Sequence, residues 1–269
     1  MSHPNTPVAL ITGGTAGLGL ILARHFLQAG YHVVITARDQ DRLTQVAGEL
    51  GDAFPTRKVV GVAADVTNAQ ACEHLAKEIS HQLQRLDTLV NCVGTSDRGL
   101  LKELSAERLR ELFDQNVVGT LVCSKAMIPL LEQSRGSIVN VGSLAGRVGA
   151  RFLGGYVAAK HAVAGMTQQM RLELRDKNIH VALVSPGPIR RDDAGQRYSD
   201  ASQSVPESAR QPGGGTKVKG LDPNRVAKAV LLAAQRRRID VVLPGYLRVL
   251  ITLGNAFPRL GDWLLMKFT

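Results

Sequence analysis

The chain has 269 residues, 44% of them hydrophobic and 21% charged, which is enough for one sizeable core and excludes a wholly disordered chain. Three cysteines, Cys72, Cys92 and Cys123, form no C-x-x-C pair and have no histidine at metal spacing, so a disulfide scaffold and a zinc module are excluded and reduced thiols in the cytoplasm are expected. The net charge of +10 comes without zinc-finger spacing, aromatic stacking motifs or an isolated basic tail, which argues against nucleic acid as partner.

Residues Met1–Pro7 are polar with no apolar signal core, and no uncharged apolar run approaches the ~20 residues of a spanning helix. Val8–Thr12 is a continuous apolar run, as expected of a strand buried on both faces. It feeds into Thr12-Gly13-Gly14-Thr15-Ala16-Gly17-Leu18-Gly19, and a helical pattern follows until Gly30. Glycines here let the backbone turn sharply and approach a ligand, and the helix start beyond them suits a pyrophosphate. The next strand, His32–Ala37, ends in Arg38. Dinucleotide folds commonly carry a ribose-binding acid near this point. Arg38 instead suits a 2′-phosphate, which predicts NADP rather than NAD, while Asp39 and Asp41 read as helix-start acids.

Lys58–Ala64 is a third strand, ending at Asp65-Val66, with a helix expected from about Ala69 to Gln84. Leu86–Asn91 is a fourth, running into Asn91-Cys92-Val93-Gly94. One long helix is predicted from Ser105 toward Leu131, with Asn116 in its middle among positions that suggest burial. Ser137–Val141 is the fifth strand and ends at Ser143. Tyr156 and Lys160 follow on a helix, four residues apart and therefore on one face. A lone phenol titrates at about 10, but an ammonium beside it favours the phenolate, and a hydroxyl such as that of Ser143 can fix a carbonyl oxygen. A sixth strand, Ile179–Val184, leads to Pro186-Gly187, and a last one is expected at Ile239–Leu243. This alternation predicts an α/β Rossmann fold, a single domain with a doubly wound parallel sheet whose ligand lies beyond the strands' C-terminal ends.

Together these residues resemble the short-chain dehydrogenase/reductase family over about residues 7 to 243. The family's Thr-Gly-x-x-x-Gly-x-Gly turn matches Thr12, Gly13, Gly17 and Gly19; its adenine-contacting acid matches Asp65; its Asn-x-x-Gly matches Asn91 and Gly94. The resemblance implies a catalytic set of Asn116, Ser143, Tyr156 and Lys160, with Tyr156 as acid/base, Ser143 polarising the carbonyl, Lys160 favouring the phenolate and binding ribose, and Asn116 organising a relay water. It further implies cofactor contacts from Leu18, Val66, Pro186, Gly187 and Ile189, a small carbonyl or alcohol substrate, and a homodimer or homotetramer. The alternative is a cofactor-binding regulatory protein without turnover. Arg191 stands where the family usually has a cofactor-contacting Thr; it either pairs with the pyrophosphate or faces solvent.

Arg190–Gly220 is long and polar, corresponds to the family's substrate lid, and offers Tyr198, Val205 and Val218 as apolar pocket residues. Past the family core, residues 246–269 carry Arg248, Arg259 and Lys267 among apolar residues, with Leu260, Trp263, Leu264 and Phe268 at near-helical spacing. Such a helical extension suits either anionic lipid headgroups, making the protein membrane-peripheral, or packing over the cleft or a neighbouring subunit. An apolar surface beside the cleft implies a lipophilic carbonyl substrate on either reading.

Overall fold

The structure, a computed structural model, describes residues 6–191, 205–210 and 213–268. Seven strands form one all-parallel sheet in the order β3-β2-β1-β4-β5-β6-β7: β1 (Val8–Thr12), β2 (His32–Ala37), β3 (Val59–Ala63), β4 (Thr88–Asn91), β5 (Ser137–Val141), β6 (His180–Pro186) and β7 (Asp240–Leu243). The order reverses between β1 and β4, so a crevice opens beyond their C-terminal ends. Helices cover both faces because the central strands are apolar on both: β1, β4 and β6 are buried throughout.

On one face, α1 (Gly17–Gln28), α2 (Gln40–Ala53) and α7 (Pro223–Gln235) bury Leu22, Phe26, Leu43, Val46, Ala227 and Val230 against Ala9, Ile11, Val33 and Ile35. On the other, α3 (Ala69–Leu83), α5 (Gly119–Ser134) and α6 (Gly154–Glu173) bury Leu75, Ile79, Met127 and Met170 against Leu10, Val34 and Leu89. Asp39 caps α2, its carboxylate accepting from the Arg42 amide at 3.0 Å, as its helix-start position predicts.

One feature differs from the sequence reading, and another is given its form. The long helix expected from Ser105 is α4 (Ala106–Phe113) and α5 joined by one wider π-helical turn, Asp114–Val118. No Gly or Pro within that turn announces it, so periodicity alone reads straight through. The C-terminal extension is a helical hairpin, α8 (Leu247–Ala256) and α9 (Pro258–Phe268). Its arms meet at Gly254 and Gly261, where a Cβ on Gly261 would lie 2.6 Å from the Gly254 carbonyl oxygen. Part of the expected lid, residues 192–204 and 211–212 and with them Tyr198, lies outside the described residues, as does the side chain of Phe268. Of the lid's other two apolar residues, Val205 is buried and Val218 lines a cavity beside the crevice.

Candidate active site

The glycine turn sits at the crevice floor, braced from below. Thr12, at the end of β1, accepts hydrogen bonds on Oγ1 from the amides of Cys92 and Val93 at 2.9 and 3.1 Å, tying the turn to the loop after β4. Gly13 and Gly17 have positive φ (69° and 51°), which a side chain would strain. Gly19 serves packing: its Cβ would lie 2.0 Å from the Gly13 carbonyl oxygen, so only glycine lets α1 start so close to the turn. The start of α1 has neither a side-chain cap nor an acid in its first turn. Its amide donors and positive dipole end thus point into the crevice without a protein partner supplied by a cap, an arrangement that fits a bound phosphate.

A trough of about 1440 Å³ extends from this turn and is lined by Gly13, Gly17, Leu18, Gly19, Arg38, Asp65, Val66, Gly94, Ile189 and Arg191. Arg38 is exposed at the end of β2. Asp65 is held low in pKa first by hydrogen bonds from the Thr67 amide and hydroxyl at 2.9 and 2.8 Å, then by the charge of Arg38. Arg191 is exposed, and its guanidinium stands beside the turn, with Nη2 3.5 Å from where a Cβ on Gly17 would be. The trough is thus lined by the cations Arg38, Arg190 and Arg191 as well as by the acids Asp65, Glu111 and Asp114, and the first turn of α1 beside Gly17 holds no acid. Its residues fit a dinucleotide bearing an extra phosphate.

Asn91 sits differently from its neighbours. Its side-chain amide donates to Ser124 Oγ at 2.9 Å and Asn140 Oδ1 at 2.8 Å, and Asn140 in turn donates to Thr167 Oγ1 at 2.9 Å. The side chain expected to bind cofactor thus belongs to a buried polar chain linking β4, β5, α5 and α6, because an unpaired amide in that core would be costly. The loop after it, Cys92 to Gly94, is what reaches the crevice.

The second cavity, about 710 Å³, adjoins the trough and is lined by Gly94, Ser143, Tyr156, Lys160, Pro186 and Gly187 among others. Ser143 leaves β5 in extended conformation, and its hydroxyl accepts from the Ala145 amide at 3.1 Å, capping a short 3₁₀ turn, Leu144–Gly146. That turn packs on α6 so tightly that a Cβ on Gly146 would lie 2.5 Å from the Lys160 carbonyl oxygen. Ser143 and the Tyr156–Lys160 helix face are therefore locked in register. Lys160 is buried, its Nζ donating to the Val141 carbonyl at 3.1 Å and standing 5.7 Å from the Tyr156 ring centre. Burial pushes its ammonium down to about 8. Burial likewise pushes the neighbouring Cys92 thiol up to about 11, against the pull of Lys160 and Arg191, so Cys92 supplies no anion there.

Asn116 lies at the centre of the π-helical turn, fully buried. Its amide nitrogen donates to the carbonyls of Thr95 (3.0 Å) and Leu112 (2.9 Å), but its Oδ1 has no partner among the described residues. A Cβ on Gly94 would fall 2.5 Å from that Oδ1 and 3.3 Å from Lys160 Nζ, so both groups border the same small space. An orphaned buried acceptor next to an ammonium is suited to holding a water between them.

Arg98 is the lining residue that sequence reasoning missed; packing of the C-terminal extension over the cleft was one of the placements the sequence left open, and the hairpin does wall this cavity. Leu247, Leu250, Ile251, Leu264 and Leu265 of the hairpin line it, as does the buried Arg98, whose guanidinium donates to the Ala209 carbonyl at 2.8 Å and the Ser96 hydroxyl at 2.8 Å. The hairpin's inward face was available in its helical repeat around Gly254 and Gly261; a polar loop gave Arg98 no signal. Pro188 and Ile189 bridge the two cavities.

A family model described as short chain dehydrogenase matches residues 7–202. Dehydrogenase/reductase SDR family member 7B of Xenopus laevis is 30% identical over 250 residues, covering 88% of this chain and 74% of that protein. A short-chain dehydrogenase from Streptomyces avermitilis superposes with a TM-score of 0.77 at 25% identity over 98% of each chain. An alcohol dehydrogenase from Thermococcus sibiricus, solved with 5-hydroxy-NADP, gives a TM-score of 0.75 at 25% identity over 90% of this chain and 97% of its own.

Proposed function

The chain belongs to the short-chain dehydrogenase/reductase family of oxidoreductases, and from that premise we propose that it is an NADP(H)-dependent carbonyl reductase, or secondary-alcohol dehydrogenase, acting on a lipophilic ketone. One observation carries the reading: Ser143, Tyr156 and Lys160 line a largely apolar cavity that adjoins the glycine-turn trough with Arg38 and Arg191.

A nicotinamide dinucleotide bound in the trough supplies the hydride chemistry. The chain's own residues bind, orient and move protons. Gly13, Gly17, Leu18 and Gly19 cradle the phosphates against the start of α1, Arg191 adds a cation beside Gly17, and Arg38 selects the 2′-phosphate by charge. Binding of an NADP derivative by the Thermococcus sibiricus enzyme supports this preference. Ser143 Oγ donates to the carbonyl oxygen of the substrate and holds it against the Tyr156 phenol. Tyr156 gives its proton to that oxygen in reduction and takes it back in oxidation. Lys160 stabilises the phenolate as it forms and holds the nicotinamide ribose. Asn116 Oδ1 keeps a water beside Lys160 Nζ, through which the proton lost by Tyr156 is replaced from solvent.

Substrate class follows from the wall opposite Tyr156. Five aliphatic side chains of α8 and α9 line it, a surface that gains by burying an acyl or alkyl chain. A screen of NADPH oxidation at 340 nm over ketones of graded chain length tests the proposal. kcat/KM should rise by about fourfold per added methylene until the cavity is filled. A flat series would remove the lipophilic assignment, and no turnover with any carbonyl would favour a cofactor-binding regulator.

A further inference from the structure

The α8–α9 hairpin is apolar on two sides. Its inner side, with Leu247, Ile251, Leu264 and Leu265, walls the cavity. Its outer side is exposed: Val249 is 62%, Phe257 61%, Trp263 57% and Met266 61% accessible. By the helical repeat these outer residues form two stripes, Val249–Leu253 on α8 and Leu260–Trp263–Met266 on α9, converging at Phe257 in the turn between the arms. Solitary exposed apolar residues need no explanation, but a contiguous row of this size does.

The charges beside it identify the occupant. Arg248, Arg259 and Lys267 are exposed in the hairpin, against Asp262 as its one acid. Arg259 and Lys267 lie on the same outer face of α9 as Trp263, and Lys267 Nζ stands 5.0 Å above the Trp263 ring centre. A second copy docking isologously on this face would bring basic side chains against basic side chains. An anionic lipid surface offers the complementary arrangement, taking the apolar stripe into the headgroup boundary while the cations meet phosphates. Among the described residues no helix is long and apolar enough to cross a membrane, so contact of this kind is parallel to the surface.

We propose that the outer face of the α8–α9 hairpin docks the protein on anionic lipid membranes, with Phe257 and Trp263 inserted at the headgroup level and Arg259 and Lys267 bound to lipid phosphates, while Arg248 pairs with Asp240 at 3.7 Å. The docking rests on surface residues alone and holds whether or not the enzyme reading does, since Phe257 and Trp263 line neither cavity.

Flotation of the full chain on phosphatidylcholine vesicles, with and without phosphatidylglycerol, tests it. The protein should rise with the anionic vesicles at low salt, stay behind with the neutral ones, and be released as salt increases. Phe257→Ser with Trp263→Ser, and separately Arg259→Glu with Lys267→Glu, should each lower the bound fraction about tenfold or more. NADPH fluorescence enhancement checks that each variant is folded; if both variants lose it, the lipid and salt dependence of the unaltered chain decides. Failure to rise with anionic vesicles at low salt overturns the proposal, and so does equal binding to neutral vesicles. A lipid-free assembly that Phe257→Ser with Trp263→Ser breaks apart by light scattering also overturns it, because the face would then join two copies.

Discussion

At Lys160, burial pushes the ammonium down to about 8, so the group is charged below that pH and neutral above it. On the proposed mechanism its charge stabilises the Tyr156 phenolate, and kcat for ketone reduction should therefore fall as pH rises through about 8, by roughly tenfold per unit at the steepest. Lys160→Arg keeps a cation at all working pH values and should move that limb upward; a limb left at the same pH would assign it to another group. The end of β2 gives the second residue-scale test. Arg38→Asp with Ala37→Gly replaces a phosphate partner by a repulsive carboxylate and should shift the NADPH/NADH ratio of kcat/KM toward NADH by about tenfold to a hundredfold. An unchanged ratio would move the 2′-phosphate site elsewhere, Arg190 and Arg191 being the other cations that line the trough.

Between elements, the decisive contact is the 3₁₀ turn after β5 against α6. Adding one methyl at Gly146 puts it 2.5 Å from the Lys160 carbonyl oxygen and 2.8 Å from the carbonyl carbon, both backbone atoms that cannot swing aside. Gly146→Ala should cost about 1–3 kcal/mol in urea unfolding and lower kcat more than it raises the cofactor's KM, since it separates Ser143 from Tyr156 and leaves the trough alone. A variant with native stability and rate would show that the two elements slide freely. The strands were legible in the sequence because a parallel sheet buried on both faces needs unbroken apolar runs, and Val8–Thr12 or Ile179–Val184 admits few other readings. The Tyr156–Lys160 face was legible because helix periodicity fixes it. The π-helical turn was not, since its residues Asp114–Val118 have no local signature, and it is this turn that buries Asn116 with its Oδ1 toward Lys160. Nor was the direction of the Asn91 side chain: Asn140 and Thr167, its partners in the polar chain, come from strands and helices far along the sequence. The hairpin defeated a one-face reading because both of its faces are apolar, so Leu264 turns to the cavity while Trp263 beside it is exposed.

For the molecule as a whole, assembly is the next expectation. Of the apolar residues of α5 and α6, Met127 and Val163 are buried in this chain, and Val122 and Met166 pack partly against its core. Leu121 and Leu172 remain exposed, at 38% and 62%, on α5 and near the end of α6. We propose a homodimer or homotetramer built on that side of the molecule, away from the hairpin, with light scattering at micromolar concentration expected to give a multiple of the 28.9 kDa chain and a clean monomer contradicting it. The arrangement would leave the hairpin of each copy outermost, with the cavity's apolar wall directly behind the face proposed to meet lipid. The catalytic reading depends on Tyr156 being the proton donor in that cavity. The most direct measurement is single-turnover NADPH oxidation at 340 nm for the unaltered chain and Tyr156→Phe, with NADPH affinity measured on both. The phenol moves a proton and leaves the dinucleotide's binding contacts to other residues, so the Phe variant should bind NADPH within about twofold and lose at least ~10²-fold in rate. A Phe variant that binds NADPH normally and retains most of its rate would contradict the account.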